Sequence, residues 1–355
     1  MLRNPAAIIF PGLTGKISHA ILAALLLAAA ATLVFAAGEK IHLAPKYSPG
    51  QTLRYRVAMR TVSKSNTTTP IINPEGGSEF KQSVTIVVRL EFLDASAPTS
   101  TSESAPSAAG PGMRVRATFE QSVATVESDA INPAAPPPEG RYKKLAGRSI
   151  EFTLTPAGEF ADLAGLDGIQ ESSASAVTFF AWLPGLVERS NLPERAIGVG
   201  EKWSAERALA GMPITGLTFR SESSYLRDEP CPAPALDAGS PTAPPLIEAF
   251  TAKPEPCAII LTRFTIAHSG SPRADATPPD YLKNGLRTMG KWSASGEGLD
   301  SISISSGLLL TATQSSSQDT DYTISSAVTG SKIHEESHVT TETEITLLAP
   351  DGPKT

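Results

Sequence analysis

Hydrophobic and polar positions alternate strictly soon after the start of the chain. Leu53, Tyr55, Val57 and Met59 share one parity while Arg54, Arg56 and Arg60 share the other, the pattern of a half-buried strand with a wet face. In EFKQSVTIVVRLEFLD the apolar residues Phe80, Val84, Ile86, Val88, Leu90 and Phe92 hold one parity, and Lys81, Arg89 and Glu91 the other. MRVRATFEQSVATVES, from Met113, predicts a third strand, and SIEFTLTPAGEFADL predicts a hairpin around Pro156, Ala157 and Gly158. Further strands are expected near 214 to 227, 257 to 268 and 286 to 296, followed by LDSISISSGLLLTATQ and a C-terminal segment rich in alternating Ser and Thr. Strands of this length suit a broad antiparallel sheet better than a compact sandwich. The expected fold class is all-β, mainly antiparallel, with long curved strands.

One stretch changes period. Ile169, Ala176, Phe180, Leu183 and Val187 recur at multiples of three or four, and Pro184 and Gly185 interrupt the last turn. This predicts one helix near 169 to 183 that covers a sheet face. A sharper role for it is a lid over an apolar ligand, with Phe179, Phe180 and Trp182 as its ligand-binding residues.

Two landmarks recur. SPGQTLRYR at 48 to 56 and GVGEKWSAE at 198 to 206 both read Gly, then Gln or Glu, then one residue, then a large apolar side chain. Downstream, Gly158 and Gly307 each sit at an expected hairpin, 108 residues after Gly50 and 107 after Gly200. Matched landmarks at matched spacing predict a duplicated β unit. The expected division is residues 1 to 36, a first unit at 37 to 192 with a flexible Ser-, Ala- and Pro-rich loop at 95 to 112, and a second unit at 193 to 350.

Residues 1 to 36 read as an export signal. Arg3 and Lys16 precede the apolar run AILAALLLAAAATLVFAA, and Val34 and Ala36 fit the cleavage subsites before Ala37. An uncleaved N-terminal membrane anchor is the alternative, since 18 apolar residues are close to a bilayer span. Loss of Arg3 and Lys16, with no acid, moves the formal charge from −6 to −8. Such a chain, without a basic cluster, is excluded as a nucleic-acid binder. Cys231 and Cys257, both in the exported part, are expected to form one disulfide in an oxidising compartment; free thiols or a metal pair are the alternatives.

The one catalytic motif is His-Glu-x-x-His in KIHEESHVTTETEITLL, with His334 and His338 as its metal candidates. It serves zinc peptidases because a helix brings residues four apart to one face. Here the flanks are β-branched, and Ile333, Val339, Ile345 and Leu347 are all odd-numbered, which predicts a strand. In a strand the two histidines stand roughly 13 Å apart, too far to share a metal. Asp319 and Asp321 read as turn residues. No Ser elbow, phosphate loop or dinucleotide fingerprint occurs, so no enzyme and no cofactor is expected.

The run from Tyr47 through SPGQTLRYR, the VGEKW entry at 199 to 203 and GEGLDSISISSGLLLTATQ together resemble an uncharacterised family of exported bacterial β-rich proteins. That resemblance supplies no catalytic residues. In outline, long antiparallel strands with one apolar helix are also similar to periplasmic lipoprotein carriers, which implies a curved sheet holding acyl chains. The expected function is a non-enzymatic envelope protein, periplasmic or extracellular, that binds a hydrophobic ligand or peptide. The alternatives are a structural or protein-interaction component of the envelope and, more remotely, a zinc peptidase. Expected partners are a lipid or an envelope protein, with membrane contact only through an uncleaved N-terminal segment.

Overall fold

In a computed structural model, residues 40–67, 77–94, 112–129, 139–155, 158–165, 182–187, 192–209, 214–235, 255–268 and 277–350 are described. They build one antiparallel sheet from eleven strands: β1 (Thr52–Thr67), β2 (Gly77–Leu93), β3 (Met113–Ser128), β4 (Ser149–Leu154), β5 (Phe160–Ala164), β6 (Lys202–Ala208), β7 (Leu217–Pro230), β8 (Pro256–His268), β9 (Leu286–Ser303), β10 (Leu309–Ser326) and β11 (Lys332–Leu347). The spatial order is β5-β4-β3-β2-β1-β11-β10-β9-β8-β7-β6, and the sheet does not close. The all-β, antiparallel class read from the alternation is therefore the class observed. Both margins are short strands, β5 and β6, and β6 is mostly exposed and carries Lys202, Glu206 and Arg207, features that discourage edge-to-edge pairing.

The chain divides into two units, Met1–Lys40 and Ile41–Thr355, and all eleven strands belong to the second. Within it, residues up to β5 run outward from the centre to one margin, and those from β6 run inward from the other, so that β1 pairs with β11. Three one-turn helices accompany the sheet among the described residues: α1 (Glu139–Lys143), α2 (Pro184–Val187) and α3 (Pro279–Lys283). The expected helix at 169 to 183 lies almost wholly outside the described residues, as does the loop at 95 to 112, and the export signal lies wholly outside them. Helix α2 begins at Pro184, which fits Pro at a first helical turn, where its missing N–H leaves no bond unmade. Among the described residues no helix is long and apolar enough to cross a membrane.

Period-two patterning sorts side chains onto two faces. The inner face carries Tyr55, Val57, Ile86, Val88, Leu90, Phe92, Val115, Phe119, Ile150, Phe152, Ile345 and Leu347, all buried, and Leu183, Leu186 and Val187 pack against them. Tyr47 stacks on Phe92 with ring centroids 4.3 Å apart. The buried Tyr55 hydroxyl donates to the Leu309 carbonyl at 3.0 Å, tying β1 to β10 across the intervening β11.

Two details depart from simple alternation. On β3, Phe119 and Gln121 pair with Val88 and Val87, so Glu120 is an extra, bulged residue. Parity flips there: Ser122 and Ala124 face inward, and Val123, which shares Phe119's parity, turns outward and is exposed. On the expected wet face of β1, Arg54 is in fact buried and bonded to Glu120 at 2.8 Å. Asp319 and Asp321 are likewise strand residues of β10, not turn residues.

The repeated landmarks have matching geometry. Gly50 (φ 80°) donates to the Phe92 carbonyl, Phe92 donates to Gln51, and Gln51 donates back to Ser48. Gly200 (φ 86°) donates to Tyr225, Tyr225 donates to Glu201, and Glu201 donates back to Gly198. Both turns need a left-handed residue, which glycine adopts without steric cost.

Candidate functional site

Beyond its filled core, the inner face leaves a cavity of about 420 Å³ over β7 to β11. Its floor is set by register. Phe264 pairs with Ser221 on one side and Gly296 on the other, and Ile266 pairs with Phe219 and Ala294. Phe219 and Phe264, diagonal neighbours, stack at 5.7 Å with an interplanar angle of 23°. Gly296 makes room for this arrangement, because a Cβ there would lie 2.7 Å from the Phe264 ring and 2.4 Å from the Ser315 carbonyl oxygen. Ile260, Ile302 and Ile345 continue the apolar wall, and Pro184, Gly185 and Leu192 close it from above the sheet.

Polar side chains share this wall: Arg207, Ser223, Thr262, Asp300, Gln314 and Thr343. Ser223 and Thr262 bond to each other across β7 and β8 at 2.9 Å, so neither hydroxyl costs an unmet bond there. Asp300 stands on the floor in register between Ile260 and Ala312. Arg207, on the edge strand β6, holds its guanidinium 5.1 Å from the centre of the Phe219 ring, at the cavity's margin. Large apolar side chains with polar groups set among them are the usual make-up of a small-ligand site. The arrangement can exclude water from an apolar chain and offers a cation at its mouth.

The residues singled out in the sequence fall in several places. Phe179 and Phe180 lie outside the described residues. Trp182 is half-buried and meets Phe119 edge-on at 6.4 Å, over the core of the first half. The segment it begins does reach the cavity, through Pro184 and Gly185. Arg207, Phe219 and Phe264 were not singled out, although the alternation of LTFRSESSYLR and AIILTRFTIAH places both phenylalanines on inward positions.

The His-Glu-x-x-His residues lie on β11, an extended strand. His338 bonds through Nδ1 to Asp319 at 2.7 Å, and His334 Nε2 is 3.8 Å from Asp321. Each histidine thus faces its own aspartate across β10 and β11. Glu335 points to the other face and accepts a bond from the Tyr322 hydroxyl at 2.9 Å. Burial, with Glu335 beside it, pushes the Tyr322 hydroxyl well above the ordinary phenol value. The helix that would converge the imidazoles is absent from this stretch. No group of three or more metal-ligating side chains gathers among the described residues.

The outer face carries two more open hollows. One, of about 680 Å³, spans β2 to β8 and is lined by Arg60, Glu297, Glu342 and Glu344; the other, of about 670 Å³, includes Lys64, Lys291, Asp319 and His338. The first also includes Met59, Val84, Leu261 and Leu299; neither is lined by the aromatic rings found in the inner cavity.

Cys231 and Cys257 are joined, with Cα atoms 4.9 Å apart, where β7 and β8 converge on the loop between them. The Cys231 N–H donates to the Glu255 carbonyl at 2.8 Å, so the crosslink extends an existing ladder.

No protein-family model matches the chain, and no curated protein matches it. Among solved structures, one titled for lipid-protein interactions in lipovitellin aligns with a TM-score of 0.41 at 11% identity, covering 87% of this chain and 26% of that one. The chain thus spans about a quarter of the lipovitellin chain it matches. OpdQ of Pseudomonas aeruginosa aligns with a TM-score of 0.23 at 6% identity, covering 84% of this chain and 100% of that one. At these values neither likeness carries an argument about function.

Proposed function

We propose that the protein is a non-enzymatic, exported envelope protein that holds a single apolar or amphipathic ligand against the inner face of its sheet. The observation that supports this reading is the cavity of about 420 Å³ walled by Phe219, Phe264, Ile260, Ile266, Ile302 and Ile345. Its volume falls in the range of small-ligand sites, roughly 300 to 1,000 Å³. Ile260, Ile302, Ala312 and Ile345 are buried members of the filled core that also line the cavity, so the cavity adjoins packed side chains. The disulfide suits an oxidising compartment, in keeping with the export signal read at residues 1 to 36. A peptidase reading finds no support in β11, because a strand carries the two histidines to different aspartates.

A structural or interaction role is the second reading, favoured by long strands that extend beyond the main core with one face of β9 and of β11 exposed along its length. Native mass spectrometry of protein recovered from its own envelope separates the two. The expected result is a bound lipid-sized ligand at one per chain, lost in Phe264→Asp and Ile266→Asp variants that keep the circular dichroism of the parent. Ligand-free protein that also fails to take up an apolar fluorescent probe would favour the structural role.

A further inference from the structure

Far from the filled core, the sheet ends in an apolar knob. Helix α3 leads directly into β9, and the hairpin turn between β10 and β11 folds against it. The Ala327 N–H donates to the Gly285 carbonyl at 2.8 Å, and Val328 Cγ2 lies 3.2 Å from where a Cβ on Gly285 would stand. Ile324 pairs with Ile333, and Leu286 with Ser326, in the last rungs of the ladder.

Four large apolar side chains stand in solvent here. Val328 is 84% exposed, Leu282 and Met289 are each 48% exposed, and Ile333 is 39% exposed. Only Val123, Val199 and Leu299 join them as exposed large hydrophobics among the described residues. Residues 279 to 289 and 324 to 333 contain Lys283, Arg287 and Lys332 against the single acid Asp280, a net charge of +2 in a chain of net −6. The next rungs hold Asp321, Glu335 and Glu336 against Lys291, which pairs with Asp321, so they are net acidic where the end is net basic.

We propose that this knob docks on an anionic lipid surface, with Leu282 and Val328 entering the headgroup region and Lys283, Arg287 and Lys332 facing acidic headgroups. The size of the knob argues for lipid over a protein partner. A stable protein interface takes roughly 20 to 30 residues a side, whereas shallow insertion gains from each apolar side chain and each nearby cation separately. The acidic rungs behind the knob oppose contact along the length of the strands and favour an end-on approach. This surface is independent of the inner cavity and stands whether or not that cavity holds a ligand.

A local readout tests the idea on the full chain. Both native cysteines are paired, so a thiol introduced by Ala327→Cys labels selectively with an environment-sensitive fluorophore. Because the dye reports only on the knob, attachment of the protein through another segment does not imitate the signal. Blue-shifted emission is expected with phosphatidylcholine vesicles containing about one-third phosphatidylglycerol, with a much weaker shift on phosphatidylcholine alone and a loss at high salt. Leu282→Asp with Val328→Asp should abolish the shift, and Lys283→Glu with Lys332→Glu should weaken binding at least about tenfold. An unshifted dye on acidic vesicles would overturn the proposal, as would an equal shift on uncharged ones. A shift produced without vesicles by raising protein concentration would overturn it in favour of a second copy of the chain.

Discussion

Arg54 and Arg89 face each other directly across β1 and β2, a like-charge pairing that is destabilising when left alone. The bulge at Glu120 resolves it: the extra residue of β3 brings a carboxylate to 2.8 Å from Arg54 and 3.4 Å from Arg89. The Arg54 side chain is only 10% exposed, so loss of that carboxylate costs more here than at the surface. Glu120→Gln should therefore cost about 2 to 3 kcal/mol in denaturant unfolding, toward the lower end for loss of one member of a buried pair because Glu120 itself is partly solvated. Exposed ion pairs such as Arg220 with Glu206 and Lys202 with Glu222 should each contribute well under 1 kcal/mol. If Glu120→Gln unfolds with the same midpoint as Lys202→Gln, Arg54 is not an uncompensated charge in the variant. From the sequence, Arg54 reads as one more outward residue, because parity reports direction and says nothing about what lies over a position.

At the scale of elements, alternation located β1, β2, β3, β7 and β8 because each is long and apolar on one side. It missed α1 and α3, which have five residues each and too few turns to display a period. It also cannot see a bulge, and so it could not place Val123. The cavity was less legible than the core: its wall depends on Gly296 and on stacking between Phe219 and Phe264, which come from three strands whose adjacency is a tertiary fact. Strand β4 is bound to β3 through Glu151, which accepts from both Arg114 and Arg116. These bonds hold its carboxyl below the ordinary glutamate value of 4.5, against a smaller opposing effect of burial. A lowered folded-state pKa means stability that is present above pH 4.5 and is lost as pH falls through the folded value. Glu151→Gln should thus be less stable than the parent near neutrality and should converge with it in acid; a constant gap from pH 7 to pH 3, measured by thermal melting, would refute the linkage. The crosslink at the base of β7 and β8 closes a loop with a sequence separation of 26, worth about 3.5 kcal/mol in the chain-entropy account. Replacing Cys231 and Cys257 together by Ser should lower the unfolding free energy by roughly that amount, with no effect from reductant on the variant.

For the whole molecule, what the sequence could not show was neighbourhood. Period two specifies faces, but it does not say that the chain leaves one margin of the sheet at β5 and re-enters at the other with β6. The Cys231–Cys257 link is legible in an exported chain with two cysteines, and the turns at Gly50 and Gly200 are legible because glycine at a left-handed position is written in the residue itself. The pairing of β1 with β11 has a kinetic meaning. Tyr55 lies opposite Leu347, so the middle of the sheet is its least local contact, and loop closure must be met there before any gain returns. Each meander can assemble from neighbouring strands as it emerges, while the seam between them waits for the final strand to be delivered. Until then β1 and β10 are naked margins, each more than 15 residues long, which short margins such as β5 never expose. A chain truncated before Lys332 should accordingly self-associate through those margins. Light scattering that stays at the level of the intact protein would show that the halves guard their own borders, and a seam formed late would then carry no hazard for a chain still in transit.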